Sequence, residues 1–317
     1  MQNKPQENLV GVSVIVPVYN DAEHIAPLIE SLLNQDYRRD LLEIIIVDNN
    51  STDRTREIVR RYPVTLLEEK EIQSSYASRN RGINSAGHDV LAFIDSDCLA
   101  DKQWIAKGVE RLLGPGADLV GAKVEFSLSP RRAAAEMYDA VTHFDFENSI
   151  REGKGTGAGN LFVHRYVFEE IGLFPDDVES GGDFQWSNRA IQNGFRLVYS
   201  PDAVVIHPAR GLRALLKKRR RTGGGAVEYW RKAGLAWWKI LLLILRMLLP
   251  RRLSMLKKAV NERGTPDMHR KILRIWGISY ICTLTTLLAI TASLIRLTVG
   301  QGARQKKSQK KQKKCCF

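Results

Sequence analysis

Short apolar runs alternate with amphipathic stretches over the first hundred residues. Val12 to Val18 (VSVIVPV) is a β-branched run restricted by Pro17 and reads as a buried strand. Beyond it Ile25, Leu28, Ile29, Leu32 and Leu33 recur at i, i+3, i+4, i+7 and i+8. That spacing gives a helix one apolar face over two turns, with Asn20 or Asp21 placed to cap it. Glu43 to Val47 (EIIIV) is a second buried strand, and Ser51, Thr52 or Asp53 can cap the helix that carries Ile58 and Val59. Strand VTLLEE, helix SSYASRNRGINSA and strand VLAFI complete a βαβαβαβ order. The order predicts an α/β fold, a mostly parallel sheet with helices on both faces and ligands held beyond the strand C-termini.

Residues 118–210 lose the strict alternation. They hold the strand-like DLVGAKVEF, a helix near 131–144, a glycine-rich turn GKGTGAGN, a helix around 182–193 and the strand-like FRLVYSPDAVVIHP. This segment is expected to continue the same sheet with mixed pairing.

Charge divides the chain in two. Residues 1–210 carry 22 Lys and Arg against 32 Asp and Glu, whereas residues 211–317 carry 26 against 3. A domain that reads nucleic acid clusters its cations on the folded reader, so this asymmetry points away from a nucleic-acid partner. Apolar runs inside the basic third fit a membrane surface better. The four cysteines, Cys98, Cys282, Cys315 and Cys316, match neither a zinc spacing nor a disulfide framework, which suggests a reducing compartment. MQNKPQENLV lacks the apolar core of a signal peptide, so the catalytic part is expected on the cytoplasmic side.

The strand VLAFI ends in two carboxylates, Asp95 and Asp97. Oxygen ligands at i and i+2 after a strand suit Mg²⁺ or Mn²⁺, and such an ion neutralises a diphosphate leaving group. The alternative is that they shape the turn before a helix at 101–113. Asp183 in SGGDFQWSNR has a similar pair of readings, either an N-cap or a carboxylate within reach of a reacting hydroxyl. Trp186 is either a sugar-stacking ring or a core aromatic, and His207 in VVIHP is either structural or a ligand. The turn GTGAGN lacks the GK[ST] of a phosphate loop and is weak evidence for one.

PVYND, VDNNSTD, SYASRNRG, AFIDSD and GGDFQWSNR, in this order and spacing, resemble the family 2 glycosyltransferases with the GT-A fold. The resemblance covers roughly residues 12–210. It implies a Rossmann-like domain for transfer from nucleoside diphosphate sugars over residues 1–210. It also implies inverting transfer to a hydroxyl of a lipid-linked or polysaccharide acceptor. Pro17, Tyr19, Asn20 and Asp48 would hold the nucleotide, with Asn49 where many members have a second acid. Arg79, Asn80, Asp95 and Ser96 would follow the ribose and phosphates. Asp97 would be the main metal ligand, helped by Asp95 and, at the matching edge, by His207. Asp183 would be the general base, Asn160 and Trp186 would face the acceptor, and Arg189 would orient local carboxylates.

Two readings from other classes compete with this one. A membrane-anchored sugar-nucleotide or anionic-polymer binding protein would bind donor without turnover. A sugar-phosphate nucleotidyltransferase would require a nucleoside triphosphate, but no early glycine-rich, lysine-bearing loop is present.

The basic third reads as C-terminal membrane-associated helices. Residues 211–300 comprise a basic linker, an interfacial helix within Leu235 to Leu249 and a transmembrane helix at about 275–295. Lys217 to Gly225 (KKRRRTGGG) is either a diphosphate clamp or a patch for anionic headgroups. Lys and Arg flank the span on both sides, so the positive-inside rule does not orient it. Residues 301–317 read as a disordered polybasic tail, with Cys315 and Cys316 as candidates for lipidation.

Overall fold

The computed structural model describes residues 10–314 except 179, 233 and 251. Its contacts divide the chain into two units. The first comprises residues up to Ser127 together with His143–Pro208, and the second comprises Leu128–Thr142 together with the chain from Ala209 onward.

The first unit is built on one eight-stranded sheet. In chain order its elements are β1 (Val12–Val18), α1 (Ile25–Leu33), β2 (Leu42–Asp48), α2 (Thr55–Val59), β3 (Thr65–Glu68) and α3 (Ser75–Ser85). There follow β4 (Val90–Ile94), β5 (Leu99–Ala100), α4 (Trp104–Leu112) and β6 (Leu119–Ser127). The helix α5 (Ala134–Thr142) belongs to the second unit. The chain then returns as α6 (Phe146–Arg151), β7 (Asn160–His164), α7 (Arg165–Ile171), α8 (Gly182–Gln192) and β8 (Leu197–Pro208).

The strand order is β3-β2-β1-β4-β7-β6-β8-β5. The first four strands are parallel, as the alternating pattern predicts, and β7 is antiparallel to both β4 and β6. Pro17 has no N–H to donate, and it falls after the β1–β4 ladder ends at Ile15. Successive strand residues face opposite sides of the sheet. Val14, Val16 and Ala92 therefore pack with Leu28 of α1 and Trp104 of α4, whereas Ile15, Leu91 and Phe93 pack with Ile83 of α3 and Phe168 of α7. Two apolar layers fix the register, because a one-residue slip would exchange them.

This topology decides what meets at one edge. The parallel strands β2 and β4 end there at Asp48 and Ile94. Antiparallel β7 begins there, since Asn160 pairs with Ile94. Strand β8 runs parallel to β6 and ends at His207 and Pro208. The two-residue strand β5 pairs antiparallel with β8, Leu99 opposite Ile206, so Cys98 comes next to His207.

The second unit is helical. With α5 it contains α9 (Leu212–Lys232), α10 (Trp237–Met247), α11 (Leu253–Arg263), α12 (Pro266–Arg270) and α13 (Ile272–Lys314). The expected basic linker is helix through Lys232, so Lys217 to Gly225 form no loop. Leu215 and Val227 are buried along α9, and a Cβ on Gly223 would lie 2.7 Å from the Thr286 carbonyl oxygen of α13. Glycine in a helix costs about 1 kcal/mol relative to alanine. Here that cost accompanies close packing, and the Ser293 hydroxyl donates to the Gly224 carbonyl at 3.1 Å. Arg132 holds Asp267 bidentately at 2.8 Å on both sides, which pushes that carboxyl far below its usual range.

The segment Ile272–Arg296 of α13 is long and apolar enough to cross a membrane, and among the described residues it is the one helix that is. Helix α13 is drawn through Lys314, into the segment that the sequence suggests is a polybasic tail. Lys, Arg and Gln are good helix formers, and no proline follows Pro266. The lipidation candidates Cys315 and Cys316 lie outside the described residues.

Candidate functional site

Most of the expected site residues lie along the edge where β2, β4 and β8 end. Asp48 is wholly buried; its Oδ2 accepts from the Ser51 N–H at 3.0 Å and lies 3.8 Å from Arg56 Nε. Its Oδ1 is buried without a hydrogen-bond partner in the protein. A buried carboxylate oxygen left in this state carries a desolvation cost that a donating ligand would offset. Next to it Asn20 takes a left-handed φ of +48°, and its Oδ1 accepts from the Thr52 N–H at 2.7 Å. Short polar Asn tolerates this region and can bond locally, so Asn20 joins the loops after β1 and β2. Tyr19 is half exposed at the same place. The Ser96 hydroxyl donates to Asp21 Oδ2 at 2.6 Å, joining the turn after β4 to the loop after β1.

Arg79 sits almost fully buried on α3, and its guanidinium donates to Asp95 Oδ1 at 2.5 Å. The turn before β7 passes on the other side of that carboxylate. A Cβ on Gly159 would lie 2.9 Å from Asp95 Oδ2, and one on Gly157 would lie 3.1 Å from Asp183 Oδ2. The Ala158 N–H between them donates to Asp183 Oδ2 at 3.0 Å. The glycines therefore let one turn lie between two carboxylates.

Asp183 is in the first turn of α8, where the helix dipole favours a negative charge. The N-cap is Gly181, with φ +81° and no side-chain cap, so the capping reading of Asp183 is corrected. Its Oδ1 accepts from the Tyr76 hydroxyl at 3.3 Å. Burial, and then the charge of Asp183, push the Tyr76 hydroxyl up to about 12, so it stays a donor at neutral pH. Sequence reasoning missed Tyr76, although it lies in the quoted SYASRNRG, because its partner is 107 residues away.

A third cluster joins the turn after β4 to the end of β8. One ligand atom each from Asp97, Cys98 and His207 lies within 4.8 Å of the other two. His207 Nδ1 is 2.6 Å from the Pro208 carbonyl oxygen, which can only accept, so Nδ1 carries a proton. Nε2 faces Asp97 Oδ2 at 3.3 Å. With Nδ1 turned to the backbone, Nε2 is the nitrogen that a cation beside Asp97 would meet. The backbone bond at Nδ1 is the support that metal-binding histidines commonly have. Phe126 and Phe144 pack around the imidazole, with ring centroids 5.5 and 5.3 Å away. Asp95, also expected at the metal, is paired with Arg79 and is not among the three. Cys98 was missed because its placement depends on the two-residue strand β5.

Several expected contacts are structural. Trp186 is fully buried between Phe168, at a 4.2 Å centroid distance, and Phe174, and its Nε1–H donates to the Gly172 carbonyl at 2.7 Å. The core reading of this ring holds, and no face is open to an acceptor. Asn160 is wholly buried; it donates to the Lys123 and Ala203 carbonyls and accepts from Trp104 Nε1 at 2.8 Å. Its amide ties β6, β8 and α4 to β7, which leaves no acceptor contact. Asn80 exchanges two hydrogen bonds with the Phe174 backbone, and the Asn49 amide donates to the Glu69 and Ile72 carbonyls. Arg189 donates to the Leu173 carbonyl at 2.8 Å and makes no described contact with a carboxylate.

Comparison with known proteins gives a consistent picture. The sequence profile described as glycosyl transferase family 2 matches residues 13–172. Glycosyltransferase AglE of Haloferax volcanii is 37% identical over 281 residues, which covers 86% of this chain and 92% of that protein. A Methanococcus voltae relative is 24% identical, covering 61% of this chain and 65% of its own length. Its name describes a diacetamido-dideoxyglucuronosyltransferase acting on dolichyl N-acetyl-α-D-glucosaminyl phosphate. Among solved structures, a mannosyltransferase from Pyrobaculum calidifontis, in complex with GDP-Man and Mn²⁺, superposes with a TM-score of 0.55 at 23% identity. That match covers 95% of this chain and 84% of the other. With its GT-A sheet and a close relative aligned over most of both chains, this protein belongs to glycosyl transferase family 2 and is a glycosyltransferase.

Proposed function

We propose that the protein is a membrane-bound, metal-dependent inverting transferase. It moves a sugar from a nucleoside diphosphate to a hydroxyl on a lipid-linked or polymeric acceptor. The observation that carries this reading is the turn Gly157–Asn160. It holds Asp183 on one side and the Arg79-bound Asp95 on the other, at the edge where the parallel strands end.

In this reading Asp183 takes the proton of the attacking hydroxyl, held in orientation by the Ala158 N–H and Tyr76. A single displacement needs one such base, and it inverts the anomeric centre. Arg79 lies beside the phosphates, where its planar fork suits phosphate oxygens. Asp48, with its unpartnered Oδ1, and the open ring of Tyr19 receive the nucleoside. Asp97 and His207 would hold Mg²⁺ or Mn²⁺, which supplies charge neutralisation to the departing diphosphate. Mn²⁺ in the Pyrobaculum complex supports this assignment.

Membrane attachment rests on the helical unit. Trp237 and Trp238 are 61% and 63% exposed on α10, alongside exposed Leu241, Leu242 and Leu245. Such a helix lies at the interface, with its tryptophans at headgroup depth. Together with the span in α13, it supports attachment of the protein to a bilayer, and in this reading the catalytic unit is cytoplasmic. The dolichyl-linked substrate of the Methanococcus relative and the poly(ribitol-phosphate) in the name of Staphylococcus aureus TarS support the acceptor class.

The test is release of nucleoside diphosphate from a panel of nucleotide sugars by full-length protein in detergent, with and without a lipid extract. Release from one donor, abolished by EDTA and by Asp97→Asn and increased by lipid, is the expected result. Donor binding without release from any donor would instead favour a binding protein without turnover.

A further inference from the structure

We infer that the Cys98 sulfur is a protein ligand of the divalent ion and makes the site discriminate against Mg²⁺. The inference rests on the transferase reading for its ion, but its test does not depend on turnover.

Three observations converge. The Cys98 sulfur lies within 4.8 Å of both the Asp97 carboxylate and a ring nitrogen of His207, and the Cys98–Asp97 separation is 3.9 Å. Metal–sulfur bonds of about 2.3 Å and metal–nitrogen bonds of about 2.0–2.1 Å put neighbouring ligand atoms of a tetrahedral site about 3.5 Å apart. The cluster therefore needs only small side-chain adjustments to close on one ion. The antiparallel β5–β8 pairing is the second observation: it fixes Cys98 beside His207 through the backbone rather than through flexible side chains. The third is the 2.6 Å contact of His207 Nδ1 with the Pro208 carbonyl oxygen, which leaves Nε2 as the nitrogen facing Asp97, at 3.3 Å. Cys98 is 2% exposed, whereas the Asp97 side chain is 32% exposed, so the cluster opens to solvent on the Asp97 side.

A buried cysteine can also serve only as a small apolar side chain, and Cys98 does pack with the core of the sheet. A filler does not need its sulfur facing a carboxylate and an imidazole, and a ligand does. One carboxylate, one imidazole and one sulfur form a mixed donor set. Mg²⁺ prefers all-oxygen octahedral surroundings, whereas Mn²⁺, Co²⁺ and Zn²⁺ accept nitrogen and sulfur with rising affinity. Three protein ligands also leave positions open for the oxygens of a diphosphate.

The experiment uses full-length protein in detergent carrying Cys315→Ser and Cys316→Ser, which removes thiols able to bind cobalt independently. The protein is stripped with chelator and titrated with Co²⁺ without donor or acceptor. A sulfur-to-cobalt charge-transfer band in the near ultraviolet is expected, lost in Cys98→Ser and in His207→Gln. Competition against Mn²⁺, followed by its electron paramagnetic resonance, should show Mg²⁺ binding at least tenfold more weakly. Cys98→Ser should narrow that ratio severalfold. Cobalt bound without the band, no cobalt bound, or a band and metal ratio unchanged in Cys98→Ser would each overturn the inference. Absence of the band from the parent protein overturns the inference even where a variant does not fold, and Cys282→Ser, which should keep the band, separates Cys98 from the other remaining thiol. Sugar transfer with Mn²⁺ in protein lacking the band would leave the transferase reading standing and remove only the sulfur ligand.

Discussion

Tyr76 on α3 and Asp183 on α8 are 107 residues apart in the chain, yet the phenol oxygen lies 3.3 Å from the carboxylate. The hydroxyl can only donate to an ionised carboxylate, so it orients the base while the Ala158 N–H holds the other oxygen. Asp183→Asn is therefore expected to lower kcat by about 10² to 10⁴, the range for loss of a general base, while donor affinity is retained. Tyr76→Phe should lower kcat by about tenfold, as loss of one hydrogen bond to a charged group would, with KM for the donor nearly unchanged. Steady-state kinetics with circular dichroism as a folding check separates these outcomes. An equal fall in donor affinity in both variants would place Asp183 on the donor instead.

Arg79 and Asp95 are partners of unequal burial, at 5% and 28% side-chain exposure. Removing the carboxylate leaves a nearly buried guanidinium unpaired, which is strongly destabilising. Asp95→Asn is expected to lower Tm and weaken nucleoside diphosphate binding, measured by thermal unfolding with and without ligand. Arg79→Lys keeps the charge but loses the planar fork, so it should cost donor affinity more than stability. A variant that lowers Tm but keeps donor affinity would make the pair purely structural.

Gly159 tests close approach, because its backbone has no left-handed φ that would confuse the result. A Cβ would come within 2.9 Å of Asp95 Oδ2, closer than real contacts allow. Gly159→Ala should displace that carboxylate and cut kcat/KM by at least tenfold with the fold intact. Activity within twofold of wild type would show that the turn yields instead.

The parallel half of the fold was legible because β1, β2 and β4 are short, mostly apolar runs and α1 has its own apolar face. Asp48, Asp95 and Asp97 stand out in the sequence because they lie at or just beyond the ends of such strands. What the sequence hid depends on long-range pairing. The β5–β8 ladder that brings Cys98 to His207 has two residue pairs, too short for any periodicity. Trp186 and Asn160 look like ligand contacts in a motif, yet their polar atoms bond to backbone carbonyls at Gly172, Lys123 and Ala203, residues far away in sequence. The run from Lys217 to Gly225 shows in sequence only its charge and three glycines in a row. Their purpose is visible only against Thr286 and Ser293 of α13.

Lys218 links that helix to a pH dependence. Burial, and then the positive field of Arg210, push its ammonium down to about 7, with Arg219 and Arg221 acting in the same sense and Asp139 opposing them. In the unfolded chain the lysine titrates near its ordinary value of about 10.4. Between about pH 7 and 10 the unfolded state therefore binds a proton that the folded state lacks, so stability rises with pH across this window. Below about pH 7 both states are protonated, and the full cost of the buried charge is present. Unfolding in detergent is expected to show Tm rising between pH 6.5 and 9 in wild type relative to Lys218→Met. A difference of a few degrees corresponds to a change on the order of 1 kcal/mol. Parallel Tm profiles for the two proteins would mean that Lys218 remains charged in the fold, held by Asp139 strongly enough to cancel the field of the arginines.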